Sequence, residues 1–418
     1  MKKLVKKSKI KGVIPVPPSK SYMQRVLLAA LLSKKNLKVF NPSSCDDSKT
    51  FIEILKKFGF KIKHSKNILE VVYNKNKIPS TINCKESGFC TRVIMLFSSF
   101  FGEKIKIDGE NTLKRRSFRE TLKLIKALGA EVTGGGDFPF IIKGTWKKGI
   151  KNLKVDGKDS SQHISGLLFL SPLYYQDLNI TVKHLVSKGY IDLTVNVMNK
   201  FGINIRKKNN KYHVGGSQKY RRKEIKIEGD WSSAAGLIVT GTLCGSLEIK
   251  GIQKESVQPD KNIVELVKSI GGNIRYKNSE NLIINKADSL KSFNYDATHT
   301  PDLIPVLSIL ASQCNGVSRI EGINRLENKE SNRSEIILKQ FGKIGMKIRR
   351  EDNSFIIKKS KIKGGVIDPF GDHRIVMGAA ILGLISEDGV EIINPDCVEK
   401  SYMNFWTDFK KIGGNIYE

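Results

Sequence analysis

Two kinds of helical pattern alternate along this chain. Val26-Leu27-Leu28-Ala29-Ala30-Leu31-Leu32, Val93-Ile94-Met95-Leu96-Phe97, Ile164 to Leu170, Ala234 to Val239, Leu303 to Leu310 and Ile375 to Leu382 are apolar on nearly every face. A helix without a polar side has to be buried. Between these runs lie helices with one polar face, such as Arg119-Glu120-Thr121-Leu122-Lys123-Leu124-Ile125-Lys126, which belong nearer the surface. β-branched stretches such as Ile203-Asn204-Ile205 and Asn273-Ile274 follow them and predict strands.

The pattern repeats. Six times an amphipathic tail ends in glycine: Lys57-Phe58-Gly59, Ala127-Leu128-Gly129, Lys200-Phe201-Gly202, Ser269-Ile270-Gly271, Lys343-Ile344-Gly345 and Lys411-Ile412-Gly413. The glycines stand about 70 residues apart, and each suits the left-handed position that closes a helix. The apolar helices start in phase with them, near Lys20, Gly88, Ser160, Asp230, Asp302 and Asp372. Each unit therefore reads strand, helix, strand, helix, strand pair, with one helix wholly inside.

Six units exceed one core, so two groups of three are expected. The predicted fold is α/β, with two inside-out domains whose sheets surround buried helices. The expected division is 1–18 plus 230–418 against 19–229, with the active site in the cleft between the halves. The strand Lys9 to Val16 is expected to complete the unit that ends at Gly413 to Tyr417. A continuous solenoid fits less well, because no capping repeats stand at the ends.

Composition narrows the function. Hydrophobic residues make up 39% of 418 residues, and no apolar run reaches a membrane span. The basic start Met1-Lys2-Lys3-Leu4-Val5-Lys6-Lys7 lacks an apolar segment after it, so no secretion signal is read there. Cysteines 45, 84, 90, 244, 314 and 397 form no Cys-x-x-Cys pair. They predict reduced thiols in a cytoplasmic protein without a structural metal. Net charge is +31, but the lysines are spread along the chain and no aromatic residues interleave with them. That distribution argues for steering of small anions and against a nucleic-acid surface.

The chemistry gathers where helices begin. Pro17-Pro18-Ser19-Lys20-Ser21 opens a helix, with Arg25 one turn on. Free N–H groups and cationic side chains at such an end form an anion site. Other starts carry Gly88 and Arg92; Ser160, Ser161 and Gln162; Asp302; and Asp372, His373 and Arg374. Further junctions add Arg115 and Arg116, Ser187 and Tyr190, Lys329, Glu330 and Arg333, and Lys400. Each cluster alone could be a helix cap. Recurring at matched positions, they predict one volume rich in cations with few carboxylates, suited to two small polyanions.

Ser19-Lys20-Ser21 with Arg25, Ser160-Ser161-Gln162, Ser187-Lys188-Gly189-Tyr190, Pro301-Asp302, Lys329-Glu330-Ser331-Asn332-Arg333, and Asp372-His373-Arg374 with Lys400 follow in order. This set resembles the enolpyruvyl transferase family, and within it the EPSP synthases. The resemblance implies two domains of three βαβαββ units, no cofactor, no metal, and a monomer that binds neither nucleic acid nor membrane. It implies substrates phosphoenolpyruvate and shikimate 3-phosphate. Lys20, Arg116, Gln162 and Lys400 would hold the phosphate of phosphoenolpyruvate beside Gly88, and Arg333 and Arg374 its carboxylate. Lys20, Ser21, Arg25, Ser160, Ser161, Gln162, Ser187, Asp302 and Lys329 would bind shikimate 3-phosphate. Asp302 would deprotonate the 5-hydroxyl and Glu330 would shuttle a proton at the enol methylene, with Lys20 sharing proton work.

The chain departs from the family pattern at Glu86-Ser87-Gly88-Phe89, where the family often reads Asn-x-Gly-Thr. Ser117 and Gly189 stand where proline is usual. These changes are expected to alter phosphoenolpyruvate affinity and inhibitor response more than the reaction. Transfer to a UDP-amino sugar, the related chemistry, usually needs a reactive cysteine in the loop that here reads Asn111-Thr112-Leu113-Lys114-Arg115-Arg116.

Overall fold

The computed structural model describes residues 1–133 and 137–418. The chain divides into two compact units, one of Met1–Pro17 with Glu228–Glu418 and the other of Pro18–Ile227. In the 18–227 unit the helices are α1 (Lys20–Ser33), α2 (Asp46–Lys57), α3 (Gly88–Phe101), α4 (Arg119–Leu128), α5 (Gln162–Leu170) and α6 (Lys188–Lys200). The other unit carries α7 (Trp231–Cys244), α8 (Ile263–Ser269), α9 (Ile304–Gln313), α10 (Arg333–Ile336), α11 (His373–Ile385) and α12 (Phe405–Lys411).

Helices α1, α3 and α5 pack on one another, as do α7, α9 and α11. These are the helices with apolar residues all round, and sheets cover each trio. Their few hydroxyls need partners, because a buried unpaired hydroxyl is costly. Thr240, Thr242 and Ser308 bond back to the carbonyls of Gly236, Ile238 and Ile304, each at 2.8 Å. The amphipathic helices end as the sequence predicts: Gly59, Gly129, Gly202, Gly271, Gly345 and Gly413 have φ of 91°, 105°, 82°, 96°, 107° and 102°, a region that costs glycine little.

Among the described residues there are six sheets of four strands with one topology. In each, an outer strand runs parallel to its neighbour, which then pairs with the first of two antiparallel strands. Asn152–Asp156 lies parallel to Leu178–Lys183, which pairs with Lys211–Val214 and through it with Ile205–Lys208.

The chain ends depart from the expected pairing. Lys2–Lys6, not the Lys9–Val16 strand, completes the last unit by lying between Val390–Ile393 and Asn415–Tyr417. The strand was hidden by its lysines: Lys3 turns inward beside Val5, and its Nζ reaches Glu418 at 3.1 Å. A lysine stem can line a core while its ammonium stays wet. Ile10–Pro15 instead runs parallel to Gly245–Lys250. Correspondingly, Glu224–Lys226, which precedes α7 in the chain, joins Leu37–Phe40 of the 18–227 unit.

Gly245 is where the 10–15 strand comes closest. A Cβ there would collide with the Ile10 carbonyl oxygen. Gly245→Ala is therefore expected to destabilise the 228–418 unit by about 1–3 kcal/mol through forced strand separation, read as a lower urea midpoint. An unchanged midpoint would show that the strand can shift freely.

Candidate active site

In the 18–227 unit, helix α1 begins after Ser19, whose Oγ accepts a hydrogen bond from Tyr22 N at 3.4 Å. Lys20 then sits in the first turn, its Nζ 3.2 Å from Asp47 Oδ2. Asp47 was missed in the sequence, where Asp46-Asp47 reads as two acids favouring the start of a helix.

Gly88, Arg92, Arg116 and Gln162 converge. Arg92 Nη1 donates to Gln162 Oε1 at 2.9 Å and to the Gly88 carbonyl at 3.1 Å, and Nη2 donates to the Ser117 carbonyl at 2.8 Å. A Cβ at Gly88 would lie 2.7 Å from Arg116 Nη1 and 2.9 Å from Arg92 Nη1. Glycine permits this close approach of two guanidiniums. Burial, and then the charge of Arg116, bring Arg92 down to about 9. An entering dianion would relieve that repulsion.

The departures in this loop have structural counterparts. The Glu86 carboxylate accepts from Thr112 N at 3.1 Å and so fastens the turn Asn111–Arg115 that leads into Arg116. Phe89 lies under the Arg25 guanidinium, 5.1 Å from the ring centre. Arg25 is buried and committed to the framework: it donates to Thr194 Oγ1 at 2.9 Å, the Ser21 carbonyl at 2.8 Å and the Tyr190 carbonyl at 3.1 Å. Burial lowers it to about 10.

The serines are placed by the same loops. Ser160 Oγ accepts from Gln162 N at 3.1 Å, so α5 begins two residues later than Ser160. Ser161 is buried beside it. Ser187 is also buried and takes a left-handed φ of 53°, with its carbonyl accepting from Tyr190 N at 3.0 Å.

The 228–418 unit holds the carboxylates, organised on Arg333. This side chain is 1% exposed. Its Nε donates to Asp372 Oδ2 at 2.8 Å, Nη2 to Asp372 Oδ1 at 3.1 Å and to Glu330 Oε2 at 2.9 Å, and Nη1 to Asp302 Oδ1 at 3.1 Å. Lys329 adds a 3.0 Å bond to the same Asp302 oxygen, and Arg374 Nη2 lies 3.9 Å from Asp302 Oδ2. Asp372 also caps α11 by accepting from Arg374 N at 2.9 Å, which aims the Arg374 side chain from the first turn. Lys400 is buried in the turn Pro395–Lys400, which packs on α11.

Burial alone would raise the pKa of Asp302. Lys329, Arg374 and Arg333 outweigh it and hold the carboxyl well below its usual range. Lys329 is lowered, because burial outweighs its attraction to Asp302. Arg333 is also penalised by burial, but Asp372, Glu330 and Asp302 hold it above its ordinary value. Glu330, Asp372 and His373 bring donor atoms within 4.8 Å of one another, a spacing open to a cation. Arg333 already supplies one, since it donates to both carboxylates.

The expected residues thus divide between the two units. Lys20, Ser21, Arg25, Gly88, Arg116, Ser160, Ser161, Gln162 and Ser187 belong to the 18–227 unit, and Asp302, Lys329, Glu330, Arg333, Arg374 and Lys400 to the other.

Solved structures share this arrangement of sheets from end to end. EPSP synthase from Acinetobacter baumannii superposes with a TM-score of 0.83 over 100% of this chain and 99% of its own, at 21% identity. The enolpyruvyl transferase NikO from Streptomyces tendae does so with a TM-score of 0.79 over 100% and 98%, at 12% identity. The fold is therefore that of the enolpyruvyl transferases. Sequence similarity is more particular. The family model described as EPSP synthase (3-phosphoshikimate 1-carboxyvinyltransferase) matches residues 4–409. The 3-phosphoshikimate 1-carboxyvinyltransferase of Clostridium acetobutylicum is 35% identical, covering 98% of this chain and 96% of its own length. That of Methanocorpusculum labreanum is 31% identical over the whole of both chains. This chain belongs to the EPSP synthase family.

Proposed function

We propose that this protein transfers the enolpyruvyl group of phosphoenolpyruvate to the 5-hydroxyl of shikimate 3-phosphate, releasing phosphate, on the route to chorismate and the aromatic amino acids. The reading of the site rests above all on Asp302 and Glu330 sharing one buried guanidinium. Two carboxylates fixed on one cation can serve as separate acid and base without drifting together.

The cationic side chains of the 18–227 unit and the carboxylates of the other act on the same pair of substrates. Lys20, Arg116, Gln162 and Lys400 take the phosphate of phosphoenolpyruvate, with Gly88 leaving room for it. Arg374 takes its carboxylate together with the N–H that Arg333 has left. Ser21, Arg25, Ser160, Ser161, Ser187 and Lys329 take shikimate 3-phosphate. The 5-hydroxyl oxygen bonds to C2 of phosphoenolpyruvate as Asp302 accepts its proton and Glu330 gives one to C3. Glu330 then recovers a proton from C3 as the C2–O bond to phosphate breaks, with Lys20 and Arg116 stabilising the departing charge, and the hydroxyl proton taken by Asp302 is passed on to the phosphate, which leaves as hydrogen phosphate.

Asp302 held by three cations is a weak base. Substrate oxygens arriving at Lys329 draw that ammonium away and return basicity when the hydroxyl is in place. The protein acts as a monomer in the cytoplasm. In keeping with that compartment, Cys84, Cys244 and Cys314 are pushed up to about 12 by burial and are inert as nucleophiles.

Purified protein given both substrates is expected to release inorganic phosphate in step with loss of phosphoenolpyruvate, and neither substrate alone should yield any. Folded protein that releases none above the buffer blank would end this reading.

A further inference from the structure

The 228–418 unit contains a carboxylic acid that this mechanism leaves idle. Asp260 lies in the turn Pro259–Asn262 and is 1% exposed. Its Oδ2 accepts a short hydrogen bond from Ser232 Oγ in the first turn of α7. Its Oδ1 has no hydrogen-bond partner among the described residues. The turn packs on α7, and α7 packs on α11 and on the turn Pro301–Leu303. Those two elements carry Arg374 and Asp302. The charges that act on Asp260 are those of Asp302, Arg374 and the α7 cap Asp230, and Asp260 acts in turn on the Tyr295 phenol of strand Asn294–Asp296.

Burying a carboxyl with one partner is expensive. Asparagine would accept the same bond from Ser232 without risk of a buried charge, so the acid needs a reason other than support of the turn. Arg374 gives one: the Asp260 turn packs on α7, α7 packs on α11, Arg374 stands in the first turn of α11, and its charge acts on Asp260.

We propose that Asp260 is a positioning residue for Arg374, setting how firmly this guanidinium holds the carboxylate of phosphoenolpyruvate. When protonated, Asp260 leaves Arg374 committed to the substrate. When ionised, it competes with the substrate from behind, adding to the pull of Asp302. Burial, followed by repulsion from Asp302, raises Asp260 to about 7, so the two forms exchange near neutral pH. The inference rests on the assignment of Arg374 to the substrate carboxylate made above.

The test measures KM for phosphoenolpyruvate and kcat from pH 6 to 8.5, at saturating shikimate 3-phosphate, for the wild type, Asp260→Asn and Ser232→Ala. Phosphoenolpyruvate titrates in this range itself, so the ratio of wild-type to Asp260→Asn KM is the informative quantity. It is expected to rise about threefold to tenfold with pH, the size of one partly screened charge acting on a binding group, while kcat stays alike. Ser232→Ala removes a donor that favours ionised Asp260, so its rise should begin at higher pH. A KM ratio flat with pH would overturn the proposal, as would an effect confined to kcat. If Asp260→Asn fails to fold, the displacement of the Ser232→Ala profile decides, and an undisplaced profile counts against it. Wild-type protein that turns over with a flat ratio refutes only the role of Asp260. Wild-type protein that releases no phosphate refutes the underlying reaction.

Discussion

Asp302→Asn is expected to lower kcat by about 10²–10⁴-fold, the usual worth of a positioned general base, while the protein stays folded. Asparagine keeps an oxygen for Lys329 and for Arg333 Nη1, which reach the same Oδ1 at 3.0 and 3.1 Å. It cannot take the hydroxyl proton. Glu330→Gln is expected to lose as much, since an amide cannot give or recover the proton at C3. The two groups serve one sequence of proton transfers, so the double variant should be little worse than the poorer single one. Phosphate release with both substrates saturating measures kcat, and circular dichroism checks the fold. Near wild-type turnover in both single variants would remove these roles from the two carboxylates.

Arg333→Met is expected to cost about 3–5 kcal/mol of stability, because it strands buried carboxylates that had shared one cation. Asp372 is 0% exposed and Glu330 is 10% exposed at their side chains, so water cannot replace the guanidinium. Urea unfolding gives the size of the loss. Its pH dependence gives the cause. Asp302 has its folded pKa depressed in the wild type, so its ionised form stabilises the fold above the unfolded value of about 4, and that contribution is lost as pH falls toward the depressed value. Protonation also removes the stranded charge in the variant. The stability gap between wild type and Arg333→Met should therefore narrow below about pH 4. A gap constant with pH would mean that the loss comes from packing. Lysine should restore little, since it cannot fork to Asp372, Glu330 and Asp302 together.

The helix starts were legible because capping and apolar periodicity are local. Asp230 accepts from Ser233 N at 2.8 Å and Asp372 from Arg374 N at 2.9 Å, each within three residues of the other. The hub at Arg333 was less legible. Its sequence neighbourhood, Lys329-Glu330-Ser331-Asn332-Arg333, reads as a charged helix start that could lie in solvent. Its partners Asp302 and Asp372 lie 31 and 39 residues away, beyond any local pattern. Arg333 was expected to face a ligand; most of its donors are instead turned onto carboxylates. Asp47 and Asp260 were missed for a related reason. An acid near a helix start has an ordinary local explanation, and only folding brings Lys20 to one and Ser232 to the other.

By itself, the sequence determined the repeat, the helices that are buried and the glycines that end their partners, because each depends on residues within a turn or two. Tertiary structure decided which strand completes which sheet. Lys2–Lys6 joins the last unit, while Ile10–Pro15 and Glu224–Lys226 pair with strands other than those beside them in the chain. It also decided the ion pairing of the carboxylates. Strand partners and buried charges are chosen by contacts across hundreds of residues, where several alternatives satisfy the same alternation of apolar and polar positions and only packing separates them.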